Sequence, residues 1–283
     1  MLPGIIHAVV ITVGGLAASQ QFVTPRQTVE AVPKDSETDV AFVSRLDGTE
    51  QRYVLWMPAG VTKPDGRTVL VALHGHGSDR WQFIRDPRDE CRALRDVALK
   101  HGMLVLAPDY RAATSWMGPA AEADVLQIIE DYRKQYAPER VILVGGSMGA
   151  ASALTFAALH PEAVDGVVAM NGVANHVEYA NFQDAISASF GGDKKEKPEE
   201  YKKRSAEYQP ARLAMPISFT VGGADEAAPP QSVLRLVNLL SGLGREVLLI
   251  QRPEGGHETN YEDACKAIEY VITKTARNDP KNR

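Results

Sequence analysis

The sequence predicts an α/β fold: a mainly parallel, doubly wound sheet, opened by an antiparallel hairpin, with helices on both faces. Short apolar runs such as Thr68–Leu73, Met103–Ala107 and Val141–Val144 lack the polar alternation of a half-exposed strand, so they read as strands buried on both faces. Stretches with helical spacing separate these runs, and strands alternating with helices require parallel pairing through right-handed crossovers. A strand signal on each side of Asp47-Gly48 adds the hairpin.

In chain order, Leu2–Ala18 is apolar apart from His7 and Thr12 and ends in Ala17-Ala18-Ser19. Residues 1–19 therefore read as a signal peptide with its cleavage site, although no Lys or Arg precedes the apolar run. Pro3, Gly4, Gly14 and Gly15 make the run a poor membrane-spanning helix. An uncleaved anchor and a cytoplasmic N-terminal strand are the alternatives. The expectation is a secreted or periplasmic protein without stable membrane insertion after processing. Residues 20–39 are polar and irregular and read as a linker. A single domain is expected over 40–275, followed by a polar tail, 276–283.

Within that domain, Val40–Leu46 and Arg52–Met57 form the hairpin, and Thr68–Leu73 is the first central strand. Helical spacing over Arg88–Lys100 ends at His101-Gly102, a C-terminal stop. Met103–Ala107 is the next strand. Pro119 at a first helical turn predicts a helix to Tyr136. After the Val141 strand and its helix come a strand over Val164–Met170 and a long insertion, 171–213, with a charged, helical middle; long insertions between core elements are commonly functional. Ile217–Val221, Gln231–Leu243, Glu246–Gln251 and Thr259–Thr275 then read as strand, helix, strand and helix.

A length of 283 residues suffices for one large core, and 44% hydrophobic with 24% charged residues is an ordinary globular composition. The net charge of −5 argues against a nucleic-acid partner, and Lys194-Lys195-Glu196-Lys197 is interleaved with acids as a solvated surface would be. The two cysteines, Cys91 and Cys265, fall on helices that this topology sets side by side, so a disulfide and two buried free thiols are both open readings. No cysteine–histidine cluster has metal-ligand spacing, and neither a metal nor another cofactor is expected.

The densest chemical signal is Val144-Gly145-Gly146-Ser147-Met148-Gly149-Ala150. A buried strand, a glycine-flanked serine and a helix rich in small residues form the G-x-S-x-G nucleophile elbow, in which the serine caps a helix N-terminus. A serine hydroxyl needs a base, and the base an orienting acid, which in this architecture follow it in the order acid, then histidine. Gly222-Gly223-Ala224-Asp225 follows one strand and Gly255-Gly256-His257 the next. Of the seven histidines, His257 alone has the required order and a loop after the last core strand. Asp225 is the favoured acid, with Glu226 and Glu254 as less suitable substitutes. Oxyanion donors are expected from the Met148 amide and from His74-Gly75-His76-Gly77, where the His76 amide is favoured and Gly77 is its neighbour. Gly77, Tyr110, Trp116, Met148, Tyr179 and Phe182 are candidates for the substrate pocket; Trp116 and Phe182 fit the core equally well.

With these residues in place, the chain resembles the α/β-hydrolase superfamily over Thr68–Thr275. Within it, the likeness is to the catalytic domain of prolyl-oligopeptidase-type enzymes and to related secreted esterases similar to feruloyl and acetyl-xylan esterases. Ser189-Phe190-Gly191-Gly192-Asp193 with Pro198-Glu199-Glu200-Tyr201, the Gly223-Ala224-Asp225 loop with Pro229-Pro230, and Gly255-Gly256-His257 carry the likeness. About 65 residues precede Thr68 and show no blade-like repeat, so no propeller domain is expected. The resemblance implies a serine carboxylesterase acting through an acyl-enzyme on a carbohydrate-linked or short-chain acyl or aryl ester. The partner is then a small-molecule or polysaccharide-linked ester. A prolyl-oligopeptidase-like peptidase or amidase, and an inactive hydrolase-fold binding protein, are the alternatives.

Overall fold

The computed structural model describes residues 34–64 and 66–277. An antiparallel pair, β1 (Ser36–Val43) and β2 (Glu50–Met57), comes first, and β3 (Val69–Leu73) follows. The short helix α1 (Gln82–Arg85) and then α2 (Asp89–His101) lead to β4 (Leu104–Pro108), and α3 (Pro119–Tyr136) to β5 (Val141–Gly146). Next are α4 (Met148–Leu159) and β6 (Gly166–Met170). The insertion holds α5 (Gln183–Phe190) and α6 (Pro198–Lys203), and β7 (Ile217–Gly222), α7 (Gln231–Gly242), β8 (Val247–Arg252) and α8 (Tyr261–Arg277) complete the order. The leader and residues 20–33 of the expected linker lie outside the described residues, as does the tail from 278.

The strands form one sheet in the order β1-β2-β4-β3-β5-β6-β7-β8, parallel from β4 to β8 and antiparallel where β2 joins β1 and β4. Along β3, Val69, Val71 and Leu73 belong to one core and Leu70 and Ala72 to the other. That double burial is why the strand sequences show no alternation. Val125 of α3, Leu154 of α4 and Leu236 of α7 pack into the first core; Leu94 of α2 and Ile268 of α8 pack into the second. Each such side chain contributes about 1.5–3 kcal/mol through burial. The chain leaves β3 for β4 on one side and returns to β5 on the other. The loops after β3 and β5 therefore diverge and leave a crevice at the carboxyl ends of the strands.

Two expectations change. The first strand begins at Ser36, inside the expected linker, and ends at Val43. It stops there because Ser44 Oγ donates to Asp124 and the Arg45 N–H to Gln127, both on α3, at 2.6 and 2.7 Å. These bonds pull the chain off the ladder before Asp47-Gly48. The other change concerns Cys91 and Cys265, which are free thiols and form no disulfide. α2 and α8 are indeed neighbours, but the Tyr261 N–H bonds Asp89 and its hydroxyl Asp96, while Glu269 pairs with Lys100. In that packing the Cys265 thiol has Tyr261, Asp96 and Glu269 for neighbours, and the Cys91 thiol has Glu90, Arg88 and Asp86. Burial pushes the Cys91 thiol up to about 12, which keeps it protonated.

The insertion is fastened to the body by a buried cation. The Arg204 guanidinium donates to Glu200 (2.6 Å), to the Met117 carbonyl (2.6 Å) and to Glu122 of α3 (2.7 Å), and Glu122 also accepts from His160 at 2.8 Å. Burial alone would raise the Glu122 carboxyl, but the His160 hydrogen bond and the Arg204 charge outweigh it and hold it at about 2. A carboxyl lowered on folding stabilises the fold above its ordinary value of 4.5, and that contribution is lost as the pH falls towards 2. Glu122→Gln should therefore lose about 3 kcal/mol at neutral pH, since it leaves Arg204 buried with one carboxylate fewer. In urea titrations the gap to the wild type should narrow below pH 4.5. A gap independent of pH would trace the loss to packing instead.

Candidate active site

Ser147 occupies the turn between β5 and α4 with φ 57° and ψ −119°, a strained conformation for a non-glycine residue. The turn is tight because three backbones nearly touch. A Cβ on Gly145 would overlap the Gly149 backbone, and one on Gly149 would overlap the carbonyls of Leu73 and His74 at the end of β3. The Ser147 N–H is fixed to the Met170 carbonyl of β6 at 2.8 Å, and the Ser147 carbonyl accepts from Ala150 and Ala151 as α4 begins.

The other two predicted residues come from the ends of the next strands. Asp225 follows β7 and His257 follows β8. Their loops are laced together, Gly223 N–H to Arg252 O at 2.8 Å and Ala224 N–H to Gly255 O at 2.9 Å. His257 Nδ1 lies 2.7 Å from Asp225 Oδ2, and Nε2 lies 2.8 Å from Ser147 Oγ. A carboxylate can only accept, so Nδ1 carries the hydrogen and Nε2 is left to accept from the serine hydroxyl. Asp225 is almost wholly buried. Burial pushes its carboxyl up, but the bonds from His257 and from the Ala228 N–H (2.8 Å) outweigh that and hold it below the ordinary value. Neither Glu226 nor Glu254 hydrogen-bonds His257.

Around the serine, the Gly75 N–H is taken by Gln82 Oε1 (2.7 Å), that of Gly77 by the Ala113 carbonyl (2.8 Å) and that of Ser78 by the Gly75 carbonyl (3.2 Å). Among the described residues the His76 and Met148 amides have no hydrogen-bond acceptor. These are the two donors that the sequence favours, and Gly77 is excluded by its bond.

A cavity of about 280 Å³ lies over Ser147 and His257. Of the pocket candidates, Phe182 lines it and Gly77 does not, and Met170 and Ala227 complete the apolar side. Tyr110 does not reach it: the ring is buried and its hydroxyl donates to the His74 carbonyl. Trp116 and Tyr179 stand behind the wall, the indole N–H on His76 Nδ1 (3.1 Å) and the phenol on the Ala227 carbonyl (2.6 Å). The Met148 side chain is fully buried in the core. Other lining residues, among them Gln82, Arg88, Glu90, Asn171 and Glu258, have no shared sequence signature because they come from four separate segments. Arg88 is held by Asp86 at 2.8 and 3.0 Å, and Glu90 faces only Arg88, 3.6 Å away. Asn171 has φ 51°, which asparagine tolerates. Oriented to suit its neighbours, its carboxamide donates to Thr259 Oγ1 and the Glu258 carbonyl and accepts from the Gly222 N–H, bridging the two loops. A polar residue directly after a buried strand and before Gly172 was the available sign of it.

The prolyl oligopeptidase family matches this chain over residues 100–274. None of the curated proteins matches it. Among solved structures, the acylaminoacyl peptidase of Pyrococcus horikoshii is similar with a TM-score of 0.65 and 17% identity, over 85% of this chain and 41% of the peptidase. The S-formylglutathione hydrolase of Staphylococcus aureus gives a TM-score of 0.63 and 16% identity, over 85% of this chain and 98% of its own. The fluorophosphonate-binding serine hydrolase F of the same organism gives 0.62 and 16%, over 86% and 98%. The chain thus spans about two fifths of the peptidase's length. The shared architecture is the α/β-hydrolase fold.

The backbone contact at the elbow yields a direct test. Gly149→Ala should cost about 3 kcal/mol or more in urea denaturation, since a Cβ there meets backbone that only a shift of β3 can relieve. A variant as stable as the wild type, with Ser147 equally reactive towards a fluorophosphonate, would show that the close approach is dispensable.

Proposed function

This chain belongs to the prolyl oligopeptidase family, and from that premise we propose that it is a serine carboxylesterase whose substrate is a carbohydrate-linked or short-chain acyl or aryl ester. The hydrogen-bonded line Asp225–His257–Ser147 is the observation that carries the proposal. Ser147 Oγ attacks the ester carbonyl as His257 Nε2 takes its proton, and Asp225 keeps the imidazole in the tautomer that can do so. The negative charge that forms on the carbonyl oxygen is met by the His76 and Met148 amides, the latter at the first turn of α4. His257 then passes the proton to the departing alkoxide, and water releases the acyl group by the same steps.

The character of the cavity supports an ester. Its volume of about 280 Å³ suits one short acyl or aryl group against Phe182 and Ala227. A peptide brings amide groups that need partners, yet the Gln82 carbonyl is taken by the Gly75 N–H and the Arg88 guanidinium by Asp86. The carboxylates of Glu90 and Glu258, both on the cavity wall, suit the hydroxyls of a sugar alcohol. Export from the cytoplasm is part of the proposal and rests on the apolar Leu2–Ala18 run.

The peptidase or amidase reading is favoured by the likeness to acylaminoacyl peptidase. Rates on p-nitrophenyl acetate, methyl ferulate and acetylated xylo-oligosaccharides, set beside aminoacyl-nitroanilides, distinguish the two, and a preference for the anilides would overturn the ester reading. Ser147→Ala should lower kcat by well over ~10³ and Asp225→Asn by about 10⁴. Equal rates for Ser147→Ala and the wild type would remove Ser147 from the mechanism. Fluorophosphonate labelling of the wild type but not of Ser147→Ala is the expected result, and it dismisses a purely binding role.

A further inference from the structure

The loop after β4 contains four non-glycine residues with left-handed backbone, Tyr110, Arg111, Trp116 and Met117. L-residues adopt that conformation at a cost, so the loop keeps its shape only because other groups hold it. One set of bonds anchors it: Arg111 pairs with Asp124 at 2.9 Å, and the Met117 carbonyl accepts from Arg204 at 2.6 Å. A second set leads from it to the loop after β3. The Tyr110 hydroxyl donates to the His74 carbonyl (2.5 Å), the Ala113 carbonyl accepts the Gly77 N–H (2.8 Å), and Trp116 Nε1 donates to His76 Nδ1 (3.1 Å). These three bonds fall on residues 74, 76 and 77 and bracket the His76 amide. The Trp116 backbone N–H also faces Met148 Sδ at 3.4 Å, so the same residue touches the sources of both oxyanion donors.

The bond between the rings is specific in its chemistry. An indole N–H only donates, so His76 Nδ1 must accept, and the imidazole is neutral with its hydrogen on Nε2. Burial pushes the His76 pKa below its ordinary value, in keeping with that neutral form. The imidazole lies against the Phe182 ring with centroids 4.5 Å apart and against Trp116 at 6.0 Å. Among the described residues it has no other hydrogen bond. His76 is only half-buried and stands between two glycines, the second with φ 80°, so its own chain does little to fix it.

We propose that Trp116 is a positioning residue for the oxyanion site: through the His76 imidazole, its indole N–H fixes the direction of the His76 backbone amide. The proposal rests on the serine hydrolase reading above. A correctly aimed amide matters once charge develops on the carbonyl oxygen and little while the ester merely sits in the cavity. The signature is therefore a fall in kcat with KM nearly kept.

Trp116→Phe retains a ring against Phe182 and Tyr179 and removes the N–H together with part of the indole's volume, and the double variant below separates the two effects. On p-nitrophenyl acetate its kcat should fall by roughly 10–100-fold with KM within about threefold, and a boronic acid that forms a tetrahedral adduct should bind correspondingly more weakly. His76→Phe, at a half-buried position, removes the acceptor instead and carries the test if Trp116→Phe does not fold. It should show a similar loss, and the double variant should lose no more than either single one. Wild-type kcat in Trp116→Phe, a loss confined to KM, or additive losses in the double variant would each overturn the proposal. Fluorophosphonate labelling separates this from the underlying reading. A labelled wild type with unlabelled Ser147→Ala keeps the nucleophile and lets the Trp116 comparison decide. A wild type that neither labels nor turns over any ester or anilide sinks the hydrolase reading and the positioning role with it.

Discussion

Three backbones meet within van der Waals distance at the end of β5, the first turn of α4 and the end of β3, and the site is arranged around that contact. It requires glycine at 145 and 149, and it forces Ser147 to φ 57°. The same approach brings the first free amide of α4, that of Met148, beside the loop that carries the His76 amide. Ser147 and the Met148 amide are thus placed by one packing constraint, while the loop that carries the His76 amide is held in addition by side chains of the loop after β4. A turn of this kind stores strain, and the buried strands on either side, zero to a few per cent exposed, hold it closed.

Asp225 and His257 are set by a different device. β7 and β8 are parallel neighbours, so their following loops leave side by side, and two backbone hydrogen bonds lace them before any side chain takes part. Asn171 adds a bridge from β6. Asp225 is buried, which by itself works against its charge; the His257 and Ala228 hydrogen bonds reverse the balance. The insertion depends on ionic ties instead. Arg204 is buried with three acceptors, an arrangement that is favourable while complete and costly when one carboxylate is lost. Through α5 and the turn before it, that insertion brings Phe182 to the cavity and Tyr179 behind it. The pocket therefore has a rigid floor of strand ends and a wall that depends on a few buried charges.

Much of this was legible in the sequence. Helix α3 has the bounds expected of it, Pro119 to Tyr136, because a first-turn proline is a strictly local signal. The elbow, the loops holding Asp225 and His257, and the favoured amides were marked by glycine spacing and chain order. Signals that depend on distant partners misled. The hairpin ladder ends early because α3 captures Ser44 and Arg45 from 80 and 82 residues away in sequence. Helix α1, four residues long, has no period to detect. Tyr110 and Trp116 were sensible pocket candidates as aromatics in a loop, but their polar ends are used to prop the neighbouring loop.

The amino-acid sequence determined the order of strands and helices, the two-sided burial of the sheet, and the loops that carry serine, acid and histidine. Those follow from hydrophobic periodicity and glycine stereochemistry, which act over a few residues. The tertiary structure alone decided that Asp225 rather than Glu226 or Glu254 bonds His257, that Gly77 has no amide to offer, that Cys91 and Cys265 stay free thiols, and that Gln82, Arg88, Glu90 and Asn171 share a wall with Ser147. Each of these depends on the register and approach of segments far apart in the chain, which local residue chemistry does not specify.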